Sequence, residues 1–420
     1  MRVLIDYRPA LRQRSGVGEY THQLVRALLA AFPPDAGTQP MELTVFSSSW
    51  KDRLDTTDGE LAGAATVDKR VPVRILNFAW HRLGWPPAET VTGRTFDVTH
   101  SLHPLELPSR AAAHVVTIHD LDFLTHPERT RAEIRRDYPL LARDHAHRAD
   151  RIIVPSRFTA AEVERLLDVP GDCISVCSPG APDWAPRGAM PPGGGYVLFL
   201  GTLEPRKNVG ALLDAYELLL TTGSVAHPAA GSQLSPGQTG GAGDSVSGLP
   251  PLLLAGQTTA DSQPWLDRIA RAPLRGLVRH VGYVDPAKRR ALYDGARVLV
   301  QPSFEEGFGL PVLEAMSCGI PVIAANRGAL PEVLGDAGLL IDPDEPGQLA
   351  SAIRRIVDDA AFAAAAAAKG ALRAQQFRWS LTARRVYDAY ETAIAHRRER
   401  SGDRRDERTD DRHVPRDRPA

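Results

Sequence analysis

Residues 301–326, QPSFEEGFGLPVLEAMSCGIPVIAAN, constrain the fold of this chain more than any other stretch. An apolar run, Val298 to Val300, predicts a buried strand that stops at Gln301-Pro302. A loop with two carboxylates follows, then Gly307 and Gly309. Pro311 to Ser317 predicts a short helix, since proline suits a first helical turn, and Gly319 punctuates its end. Ile320 to Ala325 predicts a second buried strand. The unit is strand, loop, helix, strand, with the loop at a strand's carboxyl end. In open α/β sheets that is where ligands bind.

The loop's chemistry can be read from its residue types. Glycines let backbone approach a ligand closely. A helix start presents unpaired N–H groups and the positive end of its dipole, a natural anion site. Glu306 and Glu314 flank that start eight positions apart. Carboxylates face phosphate poorly but accept hydrogen bonds from sugar hydroxyls. Amides for phosphate and acids for hydroxyls suggest a nucleotide sugar. The competing reading is a glycine-rich turn with two surface acids.

Composition sets outer limits. A chain of 420 residues is long enough for two or three domains. Its 43% hydrophobic and 24% charged content is that of an ordinary globular protein. A net charge of −1 gives no field favouring nucleic acid. Cys173, Cys177 and Cys318 match no common zinc spacing, and reduced thiols are expected. The opening MRVLIDYRPA reads as a strand rather than a signal peptide. No apolar run reaches the roughly 20 residues of a membrane span. Peripheral membrane contact stays open.

Taken in order, Met1–Asp6 predicts a first parallel strand, and Arg8 to Tyr20 a glycine-containing loop. Tyr20 to Phe32 predicts an amphipathic helix with Leu24, Ala27, Leu28 and Ala31 on one face. Strand, glycine loop and helix begin a doubly wound fold. Gly16-Val17-Gly18 completes no dinucleotide fingerprint. Leu43–Ser47 is the next strand. Residues 66–90 then interleave Lys69, Arg70, Arg74, His81 and Arg82 with Phe78, Trp80 and Trp85. Such a run either docks a membrane interface or anionic acceptor, or is a core helix with a solvated edge. Arg70, Arg74, Trp80 and Trp85 are its candidate contacts. Phe96–His100 and His114–His119 predict two strands, the second ending in His119-Asp120, where a histidine can reach a ligand. Arg131–Arg148 predicts a helix, Arg151–Pro155 a strand, Ser156 a helix cap and Thr159–Leu167 a helix. Ser175–Pro179 closes the half.

The run PGAPDWAPRGAMPPGGG, from Pro179 to Gly195, marks an interdomain linker. Expected boundaries are an N-terminal domain at 1–180, a linker at 181–195 and a C-terminal domain at 196–376. Within the second, Tyr196–Gly201, Leu252–Ala255, Val278–Val281 and Leu339–Ile341 predict strands. Leu212–Leu220, Trp265–Ala270, Pro286–Gly295 and an alanine-rich Leu349–Ala371 predict helices. Residues 222–248 have the Gly/Ser/Pro/Gln bias of a disordered insertion. Trp379–His396 predicts a last helix, packing back on the N-terminal domain, and 397–420 a disordered charged tail.

Arg206-Lys207 follows the strand Tyr196–Gly201. Arginine binds phosphate bidentately and lysine as a point charge. Two cations at a strand end suit a diphosphate and would neutralise a leaving group without a metal. A solvated basic turn is the plain alternative.

Four blocks, SGVGEYTHQL (15–24), VVTIHDLDFLTHPE (115–128), GTLEPRKNV (201–209) and EEGFGLPVLEAMSCGIPVIAAN (305–326), resemble the retaining GT-B glycosyltransferases of glycosyltransferase family 4, the glycosyl transferases group 1 class. The resemblance spans nearly the whole chain from Met1 to His396. GTLEPRKN is similar to the wording of bacterial mannosyltransferase-like members. The resemblance implies two Rossmann-like doubly wound domains facing a cleft, with the C-terminal helix returning to the N-terminal domain. It implies that Gly16 lies over the donor diphosphate and that His119 contacts the transferred sugar near its 6-hydroxyl. It pairs Arg206 and Lys207 with the diphosphate. It places Glu306 by the sugar's 3- and 4-hydroxyls, with Gly307, Phe308, Gly309 and Leu310 beside it, and Glu314 at the nucleotide ribose. Glu306 and Glu314 stand as the family's E-x7-E element.

The expectation is therefore an enzyme that moves a hexosyl group from a nucleotide diphosphate sugar to a glycan or lipid-linked acceptor. GDP-mannose is the preferred donor by resemblance. UDP-glucose, UDP-N-acetylglucosamine and dTDP-rhamnose are alternatives, as is a nonenzymatic nucleotide-sugar-binding module. No cofactor, no metal and no nucleic acid partner is expected. Localisation is expected to be cytoplasmic, with peripheral contact at the inner face of the membrane. An epimerase or dehydrogenase would need a full GxGxxG and a Tyr-x-x-x-Lys pair, which are missing.

Overall fold

The computed structural model describes residues 1–11, 14, 16–34, 39–55, 59–129, 132–188, 194–222 and 248–410. Most of the expected insertion, residues 411–420 of the expected tail, residues 189–193 of the linker and positions 12, 13 and 15 of the glycine loop lie outside the described residues. The chain divides into two units: 1–124 with 130–178 and 379 onward, and 125–129 with 179–378.

In the first unit the order is β1 (Arg2–Asp6), α1 (Val17–Ala31), β2 (Glu42–Ser48), β3 (Ala65–Lys69), α2 (Val73–Leu83), α3 (Ala88–Thr92), β4 (Val98–Ser101), β5 (Ala113–Thr117), α4 (Asp122–Thr125), α5 (Ala132–Arg148), β6 (Arg151–Val154), α6 (Arg157–Leu167) and β7 (Ile174–Val176). The seven strands form one parallel sheet in the order β3-β2-β1-β4-β5-β6-β7. The order reverses direction between β1 and β4, so their carboxyl ends frame the switch point. Val3, Leu4 and Ile5 of β1 are fully buried, as a central strand covered on both faces requires. Ser156 caps α6, accepting from the Thr159 amide at 3.0 Å.

The second unit carries β8 (Tyr196–Leu200), α7 (Val209–Thr222), β9 (Leu252–Ala255), α8 (Gln263–Ile269), β10 (Val278–Gly282), α9 (Pro286–Asp294), β11 (Ala296–Gln301), α10 (Leu310–Ser317), β12 (Val322–Ala325), α11 (Leu330–Leu334), β13 (Leu339–Ile341), α12 (Pro346–Asp358) and α13 (Ala360–Ala374). Its parallel sheet runs β10-β9-β8-β11-β12-β13, with the switch point between β8 and β11. Both units are Rossmann-like layers of helices on a parallel sheet. The last helix, α14 (Trp379–Asp410), belongs to the first unit. Tyr387 stacks at 4.2 Å on Phe32, the residue that ends α1, and the Tyr390 hydroxyl bonds His100 at 2.7 Å.

Three local expectations change. The alanine-rich segment is two helices, because the Asp359 side chain accepts from the Phe362 amide at 2.9 Å and starts a new helix. Strand β3 lies inside the basic run, as a half-covered edge strand beside β2. Helix α14 extends through residues 397–410, which were expected to be disordered tail. Arg397 and Arg400 lie 3.8 and 3.5 Å from the buried Asp150, an anchor that composition does not reveal.

Candidate active site

The switch point of the second sheet gathers the predicted residues of that unit. After β8 the chain makes a 3-10 turn, Pro205–Lys207, closed by Asn208 in the left-handed region (φ 54°). The Asn208 amide donates to the Pro343 carbonyl at 2.7 Å and fixes the turn. Arg206 and Lys207 are thereby held against the loop after β11, whose Phe304 amide donates to the Arg206 carbonyl at 2.8 Å. Lys207 Nζ donates to Glu306 Oε1 at 2.6 Å. Arg206 Nη1 lies 3.7 Å from Glu306 Oε2, while its Nε pairs with Glu204 at 2.6 Å.

Glu306 is 7% exposed. Its Oε1 also accepts from Gln301 Nε2 and Ser303 Oγ, each at 2.9 Å. Burial pushes its carboxyl up, but the Lys207 and Arg206 charges and the Lys207 and Ser303 hydrogen bonds outweigh that, and its pKa is lowered. The group stays an anion, able to accept from sugar hydroxyls through its remaining lone pairs. Gln301 and Ser303 were absent from the sequence-derived site. A glutamine closing an apolar strand was the available signal.

Two glycines hold this loop. Gly309 caps α10 at φ 100°, and a Cβ there would sit 2.7 Å from Leu330 Cδ2. Helix α10 starts at Leu310, so Pro311 is its second residue. The helix follows Gly307, Phe308 and Gly309 directly; Pro311 has no N–H, and the Val312 and Leu313 amides donate to the Gly309 carbonyl at 3.0 and 3.2 Å. Gly328, unmarked by sequence, has φ 62°, and a Cβ there would meet the Glu306 carbonyl at 2.8 Å and amide at 2.9 Å. Gly328→Ala must therefore displace the Glu306 backbone. We expect kcat/KM to fall by about a hundredfold, as for a misplaced catalytic group, with the chain still folded by circular dichroism.

Glu314 lies on α10, 7% exposed. Arg289 Nη1 donates to its Oε1 at 2.7 Å and the Tyr293 hydroxyl to its Oε2 at 2.7 Å. Arg289 and Tyr293 sit one helical turn apart on α9. Nothing in their sequence context singled them out. Burial, then the Glu314 charge, push the Tyr293 hydroxyl well above its ordinary range, so it remains a donor.

In the first unit, His119 stands two residues past β5 at its carboxyl end. Burial lowers its pKa to about 4, so it is neutral at pH 7. Its Nε2 makes no hydrogen bond among the described residues, and Tyr20 meets its ring edge-on at 4.8 Å. Gly16 caps α1 at φ 51°. His100, by contrast, is satisfied by Tyr390 and by Thr117 at 2.7 Å. A group not anticipated from sequence occupies this sheet's switch point: Arg8 binds Asp6 through Nε at 2.8 Å and Nη2 at 2.6 Å, and His103 Nε2 lies 3.2 Å from Asp6. His103 Nδ1 accepts from the Leu105 amide at 3.2 Å. Both its nitrogens are engaged, so His103 positions a loop and is no general base.

The basic and aromatic candidates divide by helix phase. Trp80 is 2% exposed, packs on Phe46 at 5.1 Å and donates to the Pro86 carbonyl at 2.9 Å. Its expected role at an acceptor or membrane is therefore corrected to a core role. Trp85 is 64% exposed, and Arg70 and Arg74 are exposed. These residues are not part of the clusters around Glu306 or His119.

Comparison with known proteins converges on the same class. Residues 14–183 match the family described as Glycosyltransferase Family 4, and residues 248–359 match Glycosyl transferases group 1. The O-antigen chain mannosyltransferase B of Escherichia coli is 29% identical over 93% of this chain and 99% of its own length. A D-inositol 3-phosphate glycosyltransferase of Thermobispora bispora is 30% identical, over 59% of this chain and 56% of its own. Sucrose-phosphate synthase from Thermosynechococcus elongatus has the same fold, with TM-score 0.71 at 20% identity, over 94% of this chain and 99% of that one. Anabaena HepE in complex with UDP and glucose aligns with TM-score 0.64 at 16% identity, over 93% and 100%. Two Rossmann-like units with these matches define a GT-B glycosyltransferase. The chain belongs to glycosyltransferase family 4, the glycosyl transferases group 1 class.

Proposed function

We propose that this glycosyltransferase moves a mannosyl group from GDP-mannose to a hydroxyl of a growing cell-envelope or extracellular polysaccharide, with retention of configuration. One observation carries the donor assignment: two cations, a buried anionic Glu306 and the amide end of α10 meet at one switch point. The donor diphosphate faces Arg206, Lys207 and the helix start, which stabilise charge on the leaving phosphate. Glu306 accepts from the transferred sugar's hydroxyls and Glu314 from the ribose. His119 is the first unit's candidate for a sugar hydroxyl, through its open Nε2. Similarity to the mannosyltransferase over nearly both full lengths favours mannose.

Retention by double displacement would need a carboxylate nucleophile. Glu306 Oε1 already accepts from three donors and is a poor one. Front-face substitution assisted by the leaving phosphate is the reading we adopt. The two cations serve in place of a divalent metal, and turnover should survive EDTA. A donor panel tests the sugar: GDP-mannose should exceed UDP-glucose, UDP-N-acetylglucosamine and dTDP-rhamnose by about a hundredfold in kcat/KM. A preference for UDP-glucose would sink the mannosyl assignment, and an inverted product anomer the stereochemical one. An intact donor after long incubation with acceptors would indicate a binding module.

The acceptor is proposed to lie at a membrane surface, at the inner face in the cytoplasm. No helix among the described residues is long and apolar enough to cross a membrane. Helix α2 turns Ile75 and Phe78, each 61% exposed, outward beside Arg74 and Arg82. Such a face binds an anionic interface. Co-flotation with phosphatidylglycerol vesicles should occur and should drop about tenfold in Phe78→Ala, given the burial of one aromatic side chain. No co-flotation of the unmodified chain rejects this part.

A further inference from the structure

The amino edge of the first sheet, opposite the edge that carries His119, holds a second constellation. A cavity of about 300 Å³ opens there, lined by Glu106 of the β4–β5 loop, His114 at the start of β5, His145 and Arg148 at the end of α5, and Arg397 and Arg400 of α14. At the roughly 30 Å³ that water occupies in the liquid, this is space for about ten waters, or for one phosphorylated monosaccharide.

Its charges are arranged unequally. Asp150 is fully engaged from below: it accepts from the His114 amide at 2.8 Å and faces Arg397 and Arg400. Glu106 is 6% exposed, and its Oε1 makes no hydrogen bond among the described residues. The nearest basic atoms, His114 Nδ1, His145 Nδ1 and Arg148 Nε, stand 3.4, 3.6 and 3.6 Å from its carboxylate. His145 Nδ1 accepts from the Glu106 amide at 2.8 Å, so in that tautomer it carries no proton to give the carboxylate. The cavity thus has one unsatisfied buried acceptor oxygen, Glu106 Oε1, with Arg148 beside the same carboxylate and Arg397 and Arg400 set against Asp150. A buried acceptor without a donor is rare unless something else fills it. Guanidinium forks match phosphate oxygens.

We propose that this cavity binds a phosphorylated polyol, with the phosphate on Arg148 and Arg400 and a hydroxyl donating to Glu106, at a site separate from the donor's. The source is either a free sugar phosphate or the phosphoglycerol headgroup of a lipid. Gly84 also lines the cavity, between Leu83 and Trp85, which are 63% and 64% exposed, so an acyl chain would find apolar surface at its edge.

The test uses the full unmodified chain with a nucleoside diphosphate in excess, which occupies the donor site. Glucose 6-phosphate, glucose and inorganic phosphate are titrated calorimetrically, and vesicles of phosphatidylglycerol are compared with phosphatidylcholine by flotation. Saturable binding of glucose 6-phosphate supports the free source. Flotation on phosphatidylglycerol alone, without glucose 6-phosphate binding, supports the lipid source. In either case Arg148→Ala with Arg400→Ala should weaken binding by about a hundredfold, the loss of two charge-assisted contacts. Glu106→Gln should weaken glucose 6-phosphate about tenfold and leave inorganic phosphate unchanged. Arg148 is 59% exposed, so its removal should leave the melting temperature intact. Binding by neither probe, or binding unmoved by the double arginine substitution, overturns the proposal.

Discussion

Lys207→Ala is expected to lower kcat/KM by about a thousandfold and to destabilise the second unit at the same time. The two effects have different causes. Removing one preorganised cation from a developing oxyanion costs about 10²- to 10³-fold in rate, which is roughly 3–4 kcal/mol of barrier. The stability loss comes from Glu306. Its shortest contact is Lys207 at 2.6 Å, and its other close donors, Gln301 and Ser303, are neutral. Arg206 stands off at 3.7 Å and is shared with Glu204. Breaking a buried pair from one side costs about 3–5 kcal/mol, because a charge is left uncompensated. Adding Glu306→Gln to Lys207→Ala should then recover much of the stability and none of the activity. A double-mutant cycle read both by urea midpoint and by turnover separates the two roles. Near-wild-type turnover in Lys207→Ala and in Glu306→Ala would remove both residues from the mechanism.

The features legible in the sequence were those written locally. The stretch 301–326 contains its strand, loop and helix start within one span, and Arg206-Lys207 follows a strand directly, so their place at a sheet's carboxyl edge could be read. The partners of Glu314 could not. Arg289 and Tyr293 reach it from 25 and 21 positions away, and only the packing of α9 against α10 brings them together. Trp80 illustrates a different limit. Interleaved basic and aromatic residues define a composition, but helix phase assigns faces: Leu76 and Trp80 point inward, while Ile75, Phe78 and Arg82 point outward. That four-residue spacing was available in the sequence. The extension of α14 past His396 was not, since it depends on the buried Asp150 of another element.

Between pH 7.5 and pH 5 the chain should lose much of its stability, through histidines that are buried neutral. Burial lowers His81 to about 2, with His103, Arg8 and His145 charges adding to it. Burial lowers His100 to about 3 and His119 to about 4. Unfolded, each would titrate near 6.5. Below that value the unfolded chain binds protons that the folded chain refuses, so stability falls as pH falls toward the folded values. At pH 5 each histidine contributes about 2 kcal/mol of loss, and the three together about 6 kcal/mol. That compares with a whole-domain stability of about 5–15 kcal/mol. Urea unfolding should show a free energy rising with pH, with a slope that approaches about three protons near pH 5 and vanishes above pH 7.5. His81→Leu should remove one of the three, because its Nε2 makes no hydrogen bond that the substitution would break. An identical urea midpoint at both pH values would contradict the account. The same argument fixes the meaning of any acid limb in the activity profile. Glu306 is held below the ordinary carboxylate range by Lys207 and Arg206 against its own burial, so it stays charged through the window in which proton uptake by the histidines of the unfolded chain drives unfolding. Activity lost between pH 6.5 and 5 should therefore coincide with unfolding seen by circular dichroism, rather than with titration of the sugar-binding acid.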